Sequence, residues 1–95
     1  MTPEEGDQIL RDLAEIEARE KLEARREVAR HVLWHNGDRR GQEPGSFTTK
    51  LLEAWARADM SNAARLTLAF PELGAAVAIS QRAGSDALAE WAGIA

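Results

Sequence analysis

His31 and His35 stand four residues apart in a stretch with helical patterning, so both imidazoles project from one side of a helix. That is how a helix offers two ligands to a metal ion. In the metalloprotease pattern a glutamate directly follows the first histidine; Val32 stands there instead, so no general base comes with the pair. Asp38 is the nearest third donor in sequence, and the competing reading is simpler: histidines near a helix C-terminus interact favourably with its dipole and with water. The chain has no cysteine, which removes thiolate zinc sites, disulfides and cysteine nucleophiles. Of the serines, Ser46, Ser61 and Ser85 stand where helix caps are expected, Ser80 within a helix, and neither histidine has a nucleophile beside it in sequence. The glycines of NGDRRGQEPG lack the Gly-Lys-Ser/Thr ending of a phosphate loop, and no cofactor fingerprint occurs. The expectation is a chain that is not an enzyme and holds no metal or cofactor.

Three other residues are candidates for contact rather than catalysis. Arg39 and Arg40, beside Asp38 in that same loop, form the most basic exposed spot of the chain; the favoured reading is that they are simply solvated, and the alternative is a phosphate or nucleic-acid contact. Trp34 falls away from the helix side carrying Leu22, Ala29 and Leu33. It is read either as a lid on a small core, the favoured reading, or as an anchor for a partner. A net charge of −4 argues against general affinity for nucleic acid, whose strength comes from clustered Lys and Arg on phosphates. The charge is uneven: the first 45 residues carry eight of the twelve basic and eleven of the sixteen acidic side chains, which assigns the core to the second half.

The elements that position these residues follow from punctuation and periodicity. Thr2 and Pro3 open a helix as N-cap and first residue, with Glu4, Glu5 and Asp7 where the dipole favours negative charge. Only Gly6 interrupts the chain before Asn36-Gly37, so the helix is expected to run some 33 residues, about 50 Å. Its apolar face changes side along its length. Ile9, Leu13 and Ile16 share one side with Leu10 beside them, whereas Leu22, Ala29, Val32 and Leu33 cluster on nearly the opposite one. Between them EAREKLEARRE is almost wholly polar, and Glu15 with Arg19 and Glu17 with Lys21 have the order that supports a solvated helix. No parallel a/d register survives through Glu20 and Glu23 to Glu27, so a short antiparallel pairing, or docking on a neighbour's bundle, fits better.

After a Gly/Pro loop over 37–45, Phe47, Leu51, Trp55 and Ala58 recur at helical spacing behind Ser46 as N-cap. Asp59 or Ser61 caps a second short helix, Asn62 to Phe70, whose Leu66, Leu68, Ala69 and Phe70 are dense for an exposed element. Pro71 forces a boundary at Phe70. A third helix presents Leu73, Ala76, Val77 and Ser80, Gly84 stops it, and Ser85 caps a last one carrying Leu88 and Trp91. Nothing alternates with the period of a strand. The fifty residues after Gly45 are few for an independent core, so Val28, Val32 and Leu33 are expected to complete it.

At SFTTKLLEAWARADMSNAARLTLAFPEL the chain resembles a group of small, uncharacterised proteins encoded in bacteriophages and prophages. Gly45 to Thr49, Ala58-Asp59, Asn62, Leu66 and Phe70 to Leu73 carry the resemblance. It covers about thirty residues, excludes the first helix, and implies phage origin, with the Ala- and Arg-rich composition suggesting an actinobacterial host. It implies no activity, and no functional residue transfers from it.

The fold expected is all-α: a long N-terminal helix (1–36, an arm), a loop (37–45), then a compact cluster of three or four short helices (46–95) completed by the end of the first. The function expected is protein–protein interaction, by self-association, a dimer favoured, or by docking on a host or phage protein. Ile9, Leu10, Leu13, Ile16, Trp34, Arg39 and Arg40 are the candidate contact residues. The alternatives are a small DNA-binding regulator using a helix-turn-helix-like pair, and a metal-dependent enzyme. A cytoplasmic location is expected, because no apolar run reaches the length of a membrane span and no leader pattern follows Met1.

Overall fold

The computed structural model describes all of residues 1–95 and contains four helices and no strand: α1 (Pro3–His35), α2 (Ser46–Arg57), α3 (Met60–Ala69) and α4 (Pro71–Trp91). Helix α1 begins in a full capping box. Thr2 accepts from the Glu5 amide at 3.2 Å while the Glu5 carboxylate accepts from the Thr2 amide at 3.4 Å. It ends at Asn36, where Gly37 takes φ 79° and the chain reverses.

The core is formed by Ala29, Val32 and Leu33 of α1, Leu52 and Trp55 of α2, and Leu73, Ala76, Val77, Leu88 and Ala89 of α4, with Ala92 behind them. Helix α1 packs chiefly on α4, so the last third of the long helix is a wall of the domain. Two cations seal the edge of that wall. Arg25 lies 5.1 Å from the centre of the Trp91 ring, and Arg26 Nε donates to the Ala92 carbonyl at 3.4 Å. Gly84, at φ 90° and ψ 177°, breaks α4 into two limbs, so that Leu88 and Ala89 turn back onto α1. Phe70, at φ −132° and ψ 72°, separates α3 from Pro71, the first residue of α4.

Several local expectations shift. Gly45, not Ser46, is the N-cap of α2, and no side chain caps that helix; the Thr49 hydroxyl instead donates to the Gly45 carbonyl at 3.1 Å. The buried line of α2 is Leu52 and Trp55, with Leu51 half-buried and Phe47 largely exposed. The apolar side of this helix is wide, and the core meets one margin of it. Asp59 caps α3 by accepting from the Asn62 amide at 2.8 Å, starting it at Met60. Helix α3 buries no residue fully: Leu66 and Phe70 are half-buried, while Leu68 is 85% exposed. Ser85 makes no cap bond; its hydroxyl and that of Ser80 accept from Asn36 Nδ2 at 3.3 and 2.8 Å, tying the end of α1 to both limbs of α4. Glu15–Arg19 and Glu17–Lys21 are not closed as ion pairs, and the arm's side-chain bonds are instead Gln8 to Asp12 and Arg11 to Gln8.

Candidate interaction surface

From Pro3 to Lys21 every residue of α1 except the half-buried Gly6 is exposed, so this span of 19 residues, about 28 Å of helix, projects beyond the domain. The molecule measures 56 × 30 × 25 Å with a radius of gyration of 16.5 Å, against about 12 Å for a compact chain of this length. On this arm Ile9, Leu10, Leu13 and Ile16 are 46 to 66% exposed. At 100° per residue they occupy a sector of about 120°, one face of the helix. Six carboxylates, Glu4, Glu5, Asp7, Asp12, Glu15 and Glu17, surround the patch against a single arginine, Arg11.

The domain carries a second apolar feature. An open groove of about 410 Å³ lies between α1, the start of α2 and the junction of α3 with α4, lined by Val28, His31, Phe47, Leu51, Phe70 and Leu73 among others. Phe47 and Phe70 meet edge to face across its wall, their centroids 5.9 Å apart, which fixes Phe47 although two thirds of it faces solvent. Glu27 and Glu72 stand at its rim. A groove with aromatic walls and few polar groups suits apolar side chains better than a polar ligand.

Trp34 is 37% exposed on the last turn of α1, where the loop backbone closes on it. The Gln42 amide donates to the Arg30 carbonyl at 3.0 Å, and a Cβ on Gly41 would stand 2.1 Å from the Trp34 nitrogen. Only glycine permits this approach. The two arginines of the loop part company. Arg40 grips Asp38 through two parallel bonds of 2.9 and 2.8 Å and reaches Asp86 at 2.8 Å, pinning the loop to the second limb of α4. The guanidinium and the Arg40 amide together hold the Asp38 carboxyl down at about 2, and the same bonds raise the Arg40 pKa further. Arg40 is therefore occupied within the chain, and Arg39 remains as the exposed cation of the pair.

His31 lines the groove, half-buried, and His35 is exposed. Asp38 is committed to Arg40, and no group of three His, Asp or Glu side chains is placed to hold a metal ion. No helix is long and apolar enough to cross a membrane. The arm patch was legible in the sequence; the groove was not. Its walls come from three separate segments, and the one signal pointing to it was the surplus of large apolar residues around Phe47 and Phe70. Comparison with protein families, curated proteins and solved structures finds no match for this chain.

Proposed function

We propose that the protein is a non-enzymatic interaction protein whose α1 arm is the contacting element. The observation that carries this reading is the arm patch: four large aliphatic side chains gathered on one helical face, beyond the reach of their own core. Scattered exposed apolar residues are ordinary, but a contiguous face of them rimmed by charge marks a contact surface. The rim keeps the free arm soluble while the patch supplies binding energy on docking. Given the resemblance of Gly45 to Leu73 to phage and prophage proteins, the natural partners are a host or phage protein or the chain itself. A DNA-reading role has less support. The exposed side of α3 presents Met60 and Leu68, and Arg65 is its only charged side chain, where a reading helix needs polar and basic residues.

The test is the double variant Leu13→Asp with Ile16→Asp, compared with wild type by light scattering of purified protein and by affinity capture from host lysate. The expected outcome is at least one association, with itself or with another protein, that the variant loses while keeping the wild-type melting temperature at high dilution, where association adds nothing. An identical set of associations in both proteins, or none in either, overturns the reading.

A further inference from the structure

The tip and the groove are related by the geometry of α1. The arm residues Ile9, Leu10 and Leu13 lie 18 residues before Glu27, Val28 and His31, the three α1 residues that line the groove. Eighteen residues are five full turns, so patch and groove lie on the same strip of one helix, about 27 Å apart along its axis. A two-fold axis crossing α1 midway, at about Glu20, therefore does two things at once. It lays the tip of one molecule along the groove of a second copy, and that copy's tip along the first groove. Such an arrangement is closed and buries both apolar features on both chains.

Charge selects the same arrangement. The segment Pro3–Glu17 has six carboxylates against one arginine, whereas Ala24–His35 has three arginines, Arg25, Arg26 and Arg30, against the single carboxylate Glu27, plus both histidines. None of those arginines or carboxylates is in an ion pair within the chain. Antiparallel arms set the acidic half of each helix beside the half of the other that carries Arg30, the one of the three arginines not engaged on Trp91 or the Ala92 carbonyl, with Glu27 and Glu72 of the groove as the opposing carboxylates. Parallel arms would set acid on acid at the tip and Glu23 and Glu27 each against its own copy along the strip, whereas the antiparallel arrangement opposes a carboxylate to its own copy only at Glu20, on the axis.

We infer that the groove beside His31 is the docking site for the arm tip of a second copy, in an antiparallel two-fold dimer held by Ile9, Leu10, Leu13 and Ile16. This rests on the reading of the arm as a binding surface and adds which surface receives it. The waist of the dimer is polar, Glu20 flanked by Arg19 and Lys21, so association comes from the two ends.

The experiment uses the full chain, whose lack of cysteine makes single introduced thiols unambiguous reporters. Sedimentation or light scattering over a range of concentration and salt is expected to show a dimer that weakens as salt rises. Leu13→Asp with Ile16→Asp is expected to weaken it by at least about tenfold. Under mild oxidation Glu20→Cys, whose two copies meet at the axis, is expected to form a disulfide-linked dimer, and Ile9→Cys at the tip is not. A dimer that links through Ile9→Cys, that fails to link through Glu20→Cys, or that tightens with salt has another arrangement and overturns the inference. A monomer at every concentration overturns it too. The broader reading then survives only if the lysate comparison shows a different protein captured by wild type and lost in the double variant.

Discussion

At the scale of single residues, the loop between α1 and α2 is held by two contacts that respond differently to perturbation. Gly41 permits backbone-to-backbone approach at Trp34, and a β-carbon there would stand 2.4 Å from the Trp34 Cα as well as 2.1 Å from its nitrogen. Neither atom belongs to a flexible side chain, so the loop must lift. Gly41→Ala is expected to destabilise the domain by about 1–3 kcal/mol, the range for overpacking, in urea or thermal unfolding. Gly45→Ala meets nothing within 4 Å of a β-carbon, so it carries no overpacking and should cost only the roughly 0.5–1 kcal/mol of placing alanine at the N-cap of α2. The second contact is the Arg40 grip on Asp38. A carboxyl held at about 2 in the folded chain, below its ordinary 3.8, adds stability fully present above the ordinary value and lost as pH falls through the folded one. Asp38→Asn should therefore flatten the pH dependence of stability between about pH 4 and pH 2 and leave its shape above pH 5 unchanged. Urea titrations at a series of pH values check this, and a variant parallel to wild type throughout would show that the grip adds no pH-dependent stability.

At the scale of elements, what was legible in the sequence was whatever local chemistry decides. Thr2-Pro3 with Glu5 marks the start of α1, Asn36-Gly37 its end, Pro71 the corner before α4 and Gly84 the break within it. The orientation of α2 was not legible. Phe47, Leu51, Leu52 and Trp55 spread over about 140° of that helix, and only its placement on the core formed by α1 and α4 decides that Leu52 and Trp55 face inward. The full exposure of Leu68 has the same origin: α3 is dense in apolar residues, but Gly74 admits α3 only along the side bearing Thr67, whose Oγ1 would stand 2.7 Å from a β-carbon on Gly74. The arm itself was readable because it depends on nothing tertiary. With no packing to support it, its helicity rests on propensity and capping, and Gly6 is its weakest position. Gly6→Ala gains about 0.8–1 kcal/mol of helix propensity and meets only Met1 Sδ at an ordinary 3.6 Å. Circular dichroism should show increased helical content, and amide exchange should slow over the first turns, without a change in the melting of the core. Unchanged exchange in those turns would mean the arm is already held by something beyond local propensity.

For the whole molecule, the decisive quantity is the mismatch between a helix of 33 residues and a core that covers only its last third. The arm adds length without adding to that core, so a chain lacking residues 1–17 keeps every buried side chain and should unfold as the isolated full-length domain does. Association changes this comparison by mass action. If the tips dock on a second copy only when folded, the unfolding midpoint of the full chain rises with protein concentration, whereas that of the shortened chain does not. At low concentration the two midpoints should converge, because the arm then contributes nothing. Added salt should pull the full-chain midpoint toward the shortened one by screening the acidic tip from the basic half of its neighbour. Calorimetry of both chains over a wide concentration range makes the measurement. A full-length midpoint that stays above the shortened one at every dilution would place the stabilising contact within a single chain and assign the arm to the domain's own core.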